Sequence, residues 1–216
     1  MKLLSFINNF WCKKMAMALQ IQIEDDVLKA THVIAGDTNH PMRRTPKLMA
    51  ALCRTTNILS LDWLKDSYKQ KSLVACSHYN LLIHDPTLEE MYNFSMKTTL
   101  REGNQRYSEG GLFNGWLIYI SNNVAGNRAP KREELEMIIQ AAGGTMIDHS
   151  DLPLSYGKDR SHVIVITSDP PLPEQVGNIL GRELAHDGAG FFSTTWLFQC
   201  IMQQKLSGIR RGLGKV

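Results

Sequence analysis

The sequence predicts an α/β protein made of two small parallel sheets, each flanked by helices, the two halves packed through a helical linker. Three observations point there. Short apolar runs alternate with stretches of helical periodicity. Two landmarks recur in the same order in both halves, which marks a duplicated unit. A length of 216 residues, with 43% hydrophobic and 21% charged side chains, suits one large folded domain or two small ones.

Residues 3–7 form a short apolar run suited to a buried strand, and 32–35 form a second. Residues 117–120 and 163–166 read the same way. Such runs fit parallel sheets covered on both faces. Thr45 is a natural N-cap, and Pro46 fits the first helical position after it. Ser60 caps a helix carrying Trp63, Leu64 and Tyr68; Ser193 does the same for Trp196, Leu197, Cys200 and Ile201. Asp85-Pro86-Thr87 opens a linker helix with Leu88, Met91 and Ser95 on one side. The polar stretch 101–111, ending in Gly110-Gly111, reads as a flexible tail. Pro130 suits the first turn of a helix whose Leu135, Ile138 and Ile139 share a face and which Gly143-Gly144 stops. The expected divisions are 1–84 for the first repeat, 85–111 for the linker and 112–216 for the second repeat.

The repeat rests on two matches. Thr31-His32-Val33-Ile34 recurs as Ser161-His162-Val163-Ile164, and Leu61-Asp62-Trp63-Leu64 recurs as Thr194-Thr195-Trp196-Leu197. A polar tail follows each tryptophan: Lys69-Gln70-Lys71-Ser72-Leu73, then Gln203-Gln204-Lys205-Leu206-Ser207. The shared place of His32 and His162 argues for structural hydrogen bonding, and Trp63 and Trp196 read as core residues.

Several functions are disfavoured. A net charge of +3 does not demand nucleic acid and tolerates an anionic ligand. Cys12, Cys53, Cys76 and Cys200 form no C-x-x-C pair, so free thiols are expected rather than a zinc site. No apolar run approaches the roughly 18 residues of a membrane span, and no cleavable leader is evident. No H-E-x-x-H, G-x-S-x-G or G-x-x-x-x-G-K-[ST] occurs. The expectation is a protein that is not an enzyme and needs no cofactor. Because the chain starts almost inside its first strand, it reads as a piece of something longer.

The segment Met42-Arg43-Arg44-Thr45-Pro46-Lys47-Leu48-Met49 is the chemically suggestive one. Three cations gather where a helix begins, although a helix amino terminus already carries partial positive charge. This is either a solvated basic turn or a site for a phosphate or carboxylate.

On the strand ending in His-Val-Ile, the tryptophan of each last helix, the Gly143-Gly144 pair, and the Arg43-to-Lys47 and Ile58-to-Leu64 stretches, the chain resembles a tandem of BRCT repeats over almost its whole length. The resemblance implies phosphopeptide binding. In that family a Ser or Thr near the end of the first strand, the next backbone N–H and a Lys of the second helix hold a phosphoserine. Those positions fall on Ser5, Phe6 and Lys47. An arginine three residues before the lysine, here Arg44, meets the free carboxylate of a ligand that ends nearby. A phosphate offers three acceptor oxygens and close to two negative charges, which an ammonium, a hydroxyl and an N–H can answer. By family position Met49, Ala129, Pro170, Thr195 and Phe198 line the groove that sets specificity, although Met49 and Phe198 also read as ordinary core.

The chain departs from the family in having Phe6 where Gly is usual, and Gln20-Ile21 where the first copy would carry Gly-Gly. The second copy is expected to have Asn114-Gly115 at the strand position and no equivalent lysine, hence no phosphate site. The resulting expectation is a nuclear, chromatin-associated reader of a phosphoserine near a protein C-terminus, such as the damage-phosphorylated tail of a variant histone or another damage-response protein. The alternative is a scaffold that binds DNA or a protein partner regardless of phosphorylation.

Overall fold

The computed structural model describes residues 1–5, 10–36, 44–79, 86–124, 130–148, 162–177 and 190–209. A first unit runs β1 (Lys2–Ser5), α1 (Phe10–Ala18), β2 (Gln22–Ile23), β3 (His32–Gly36), α2 (Pro46–Leu52), β4 (Ile58–Ser60) and α3 (Leu61–Gln70). Two helices follow, α4 (Pro86–Tyr92) and α5 (Met96–Ser108). A second unit runs β5 (Leu117–Ile120), α6 (Arg132–Ala141), β6 (Thr145–Met146), β7 (Val163–Thr167), α7 (Pro173–Gly177), β8 (Gly190–Ser193) and α8 (Thr194–Gln203). The sheets have orders β2-β1-β3-β4 and β6-β5-β7-β8, and every neighbouring pair is parallel. The duplication expected from sequence is therefore present in the backbone.

The two tryptophans are its firmest anchor. Ser60 Oγ accepts from the Asp62 N–H at 3.2 Å, and Ser193 Oγ accepts from the Trp196 N–H at 3.2 Å. The Trp63 indole donates to the Val74 carbonyl at 2.9 Å and the Trp196 indole to the Ser207 carbonyl at 2.8 Å, each 11 residues onward. The similar polar tails thus serve the same bond. The histidines are not equivalent. Ile34 pairs with Leu59 and Ile166 with Phe192, the residues just before the two capping serines. That register matches His32 with Ile164, so His162 falls two positions early. His32 stacks on Trp63 with centroids 5.8 Å apart, and its Nδ1 lies 2.9 Å from Thr31 Oγ1. His162 instead lies beside Trp116, at 5.2 Å.

The same register corrects the second-copy strand. Ser5 pairs with Ile34 and Ile120 with Ile166, so Ile120 holds the Ser5 position. Asn114 and Gly115 lie in the turn before β5. Turn chemistry won there: Gly115 has φ +80°, which glycine adopts freely.

The linker differs from expectation. Ser95 belongs to no face of α4; it caps α5 by accepting from the Thr98 N–H at 3.4 Å. Residues 101–108, expected as a flexible tail, continue α5. Within them Gly103 is buried and extends the helix face on which Met96, Thr99 and Leu100 are also buried. Thr99 Oγ1 donates to the Met202 carbonyl. A Cβ at Gly103 would lie 2.8 Å from the Leu52 carbonyl oxygen, so glycine lets the helix approach this closely. Packing of that face stabilises a helix that composition alone would not.

Both first helices end in the same turn. Gly143 N–H donates to Gln140 at 3.1 Å and Gly144 N–H to Ile139 at 3.0 Å; Gln20 N–H donates to Met17 at 3.0 Å and Ile21 N–H to Ala16 at 2.9 Å. This is a Schellman end. Gly143 takes φ +81° and Gln20 takes φ 55°, so the missing Gly-Gly of the first copy costs conformational strain without changing the turn.

The two units share one core. Helix α2 packs against α6 and α8, and α5 against α8. Leu48, Met49 and Leu52 join Leu135, Ile138, Ile139, Leu197 and Ile201 in one buried cluster. A second cluster, with Trp63 and Leu64 at its centre, lies under α1 and α3. None of the four cysteines is in a disulfide, and Cys12, Cys53 and Cys200 are buried. Among the described residues no helix is long and apolar enough to cross a membrane.

Candidate functional site

Ser5 ends β1 with its backbone paired to Ile34 of the central strand β3. In a parallel sheet the carboxyl ends of the strands share one edge, so Ser5 lies at the edge from which β3 leads toward α2. Phe6, the expected backbone donor, lies outside the described residues. Thr45 Oγ1 accepts from the Leu48 N–H at 3.2 Å, and Pro46 starts the helix. Lys47 is thus the second residue of α2. It is exposed, while Leu48 to Leu52 are buried. Among the described residues no carboxylate pairs with Lys47 or with Arg44.

Arg44 is held at the junction of the repeats. Its guanidinium carbon stands 4.5 Å from the centre of the Tyr92 ring on α4 and 5.3 Å from that of Phe198 on α8. Stacking on ring faces leaves the N–H edge of a guanidinium available to an anion. Gln199 steadies the same junction by donating from Nε2 to the Tyr92 carbonyl at 2.9 Å. Tyr92 has no signal in the sequence, since its role depends on a contact between linker and helix.

The proposed groove residues divide. Thr195 is exposed in the first turn of α8, and Pro170 is exposed after β7. Phe198 is 6% exposed and presents its ring to Arg44. Met49 is 0% exposed; it packs in the shared core, where α2 meets α6 and α8, and offers no surface to a ligand. Ala129 lies outside the described residues.

The corresponding place in the second unit is filled. Pro46 and Pro173 each open the helix after the central strand, so Glu174 stands where the first unit has Lys47. The next side chain, Gln175, is buried. Its Oε1 accepts from the Ser168 and Leu172 N–H groups, both at 3.0 Å. Its Nε2 donates to the Asn122 carbonyl at 2.9 Å and to Ser168 Oγ at 3.1 Å. The second unit thus has a carboxylate in place of the ammonium and an amide side chain filling the turn. Aligning Pro46-Lys47 with Pro173-Glu174 carries the charge reversal in the sequence; the plug is a tertiary feature.

A BRCT domain family model matches residues 111–211. The mediator of DNA damage checkpoint protein 1 of Pan troglodytes and of Homo sapiens is 29% identical over 161 residues, 74% of this chain. PAX-interacting protein 1 of Bos taurus is 23% identical over 156 residues, 70% of this chain. The chain spans 6% and 7% of the length of the two checkpoint relatives and 14% of the third. Among solved structures, the BRCT5-BRCT6 domains of S. pombe Brc1 superpose with a TM-score of 0.74 at 16% identity, covering 97% of this chain and 95% of that one. A complex of Rtt107p with a phosphorylated histone superposes with a TM-score of 0.55 at 14% identity, covering 97% and 89%. The BRCT match over the second repeat, the doubled four-stranded parallel sheets and the likeness along both repeats give this chain the fold of a tandem BRCT module, and its sequence is similar to that of DNA damage checkpoint proteins.

Proposed function

We propose that this module is a non-enzymatic reader of a phosphoserine close to a protein C-terminus, such as the damage-phosphorylated tail of a variant histone, and that it works in the nucleus at chromatin. Ser5, the backbone N–H of Phe6 and Lys47 grip the phosphate. Arg44 meets the terminal carboxylate, and Thr195, Phe198, Pro170 and Ala129 flank the peptide, with Met49 supporting the groove from beneath. The observation that carries this reading is Arg44, braced between Tyr92 and Phe198 three residues from an exposed Lys47 that no described carboxylate neutralises. The Rtt107p complex, whose partner is a phosphorylated histone, supports the kind of ligand. The repeat bounds 1–84, 85–111 and 112–216 belong to the same reading.

Calorimetry with a short tail peptide tests it: phosphorylated against unphosphorylated, and free acid against amide. The phosphorylated free acid should bind best, and each other form should lose at least about tenfold, one charge-assisted contact's worth. Equal binding of all forms would refute the reading. Steep salt dependence with indifference to phosphorylation would instead favour a phosphodiester-binding scaffold.

A further inference from the structure

We propose that the second repeat carries a separate docking site for an acidic peptide side chain, in the cavity where α5, the turn before β5 and the segment after α8 meet. The cavity has a volume of about 440 Å³ and is lined in part by Arg106, Asn114, Trp116, Lys205, Leu206 and Ile209. The Nε of Arg106 is buried and has no hydrogen-bond partner. A buried guanidinium N–H without an acceptor is rare because it has given up water for nothing. Among the described residues neither Arg106 nor Lys205 pairs with a carboxylate. Glu109, also on the wall, is engaged by Gln105, whose Nε2 donates to it at 3.1 Å.

Placement near helix ends accounts for part of this. Arg106 lies in the last turn of α5 and Lys205 just after α8, where cations offset the helix dipole. That effect needs only charge near the carbonyls and leaves the Nε unanswered. An acidic side chain entering the cavity answers it once the Arg106 side chain turns its N–H edge outward, because that edge offers parallel donors to two oxygens. The side chain of Asn114 already donates to the Glu109 carbonyl at 2.8 Å, so its own oxygen is left to accept from a ligand's backbone. Trp116, Leu206 and Ile209 form an apolar wall suited to the residue beside the acid. The volume accommodates a side chain or two and excludes a duplex, and Glu109 disfavours a polyanion. Trp116 directly precedes β5, at the amino-terminal end of its sheet, whereas Ser5 and α2 lie at the carboxyl-terminal edge of the other. The site is therefore independent of the phosphopeptide reading.

The test uses the whole chain, labelled with nitrogen-15, and observes the Arg106 Nε–H and the Trp116 indole N–H. The probes are acetyl-Gly-Phe-Glu-Leu-Gly-amide, its Gln counterpart and a short DNA duplex. The Glu peptide should shift both signals, and the Gln peptide should bind at least about tenfold more weakly. Lys205→Gln, at the surface, should weaken the Glu peptide about fivefold, and Arg106→Lys should do so while keeping the charge. Lys47→Met should leave this binding unchanged. Absent shifts, equal binding of the Gln peptide, a preference for the duplex, or sensitivity to Lys47→Met would each overturn the proposal.

Discussion

Replacing Arg44 by Gln tests the carboxylate reading at a single bond. The side chain is already oriented: the Tyr92 and Phe198 rings hold its guanidinium at 4.5 Å and 5.3 Å. Little rotamer freedom is therefore left to lose when a ligand arrives. A charge-assisted hydrogen bond contributes about 1.5–3 kcal/mol, which is roughly tenfold to a hundredfold in affinity. Titration calorimetry should show that loss with a phosphopeptide ending in a free acid and almost none with its amide. Tyr92→Leu removes one ring of the clamp, worth about 0.5–1 kcal/mol, so the free-acid peptide should weaken only about two- to fivefold. If Arg44→Gln weakened both peptides equally, Arg44 would be attracting phosphate or shaping the fold, and the carboxylate role would fail.

Four further outcomes follow from the fold. Gln20→Gly should stabilise by about 0.5–1 kcal/mol in a urea melt, by relieving a left-handed glutamine. Its counterpart Gly143→Ala should cost more than about 2 kcal/mol, since a Cβ there would lie 1.9 Å from the Gly110 carbonyl oxygen. Gln175→Leu should destabilise by about 2–4 kcal/mol through the Ser168 and Leu172 N–H groups it orphans, without altering phosphopeptide affinity. Burial holds the His32 imidazole below its ordinary pKa of 6.5, so the folded state favours the neutral ring. Stability from this group is complete above pH 6.5 and declines as pH falls from there toward the depressed folded value. Denaturant midpoints should show this decline, and His32→Gln should diminish it.

The α/β class and its duplication were legible because each depends on local signals. Apolar runs gave four of the strands, and Ser60 and Ser193 announced the helices that carry the tryptophans. Finer register was not legible. The Thr-His-Val-Ile match aligned His32 with His162, but hydrogen bonding to β4 and β8 sets the sheets two residues apart from that alignment. Likewise the polar face of residues 101–108 concealed a helix whose stability comes from Leu100 and Gly103 packing on other elements. For the site, Lys47 and Arg44 stood out as charge at a helix start. The Tyr92 and Phe198 clamp and the Gln175 plug join residues far apart in sequence, and no local pattern carries them.

Whether Ser5 and Lys47 contact one phosphate is measured most directly by a double-mutant cycle. Affinities of the parent, Ser5→Ala, Lys47→Met and the double variant for the phosphorylated peptide are compared by calorimetry. Each single change should cost at least about tenfold, and the double should cost less than their product by a coupling of about 1 kcal/mol or more. Strict additivity, or equal losses with the unphosphorylated peptide, would mean that the two residues do not share that anion.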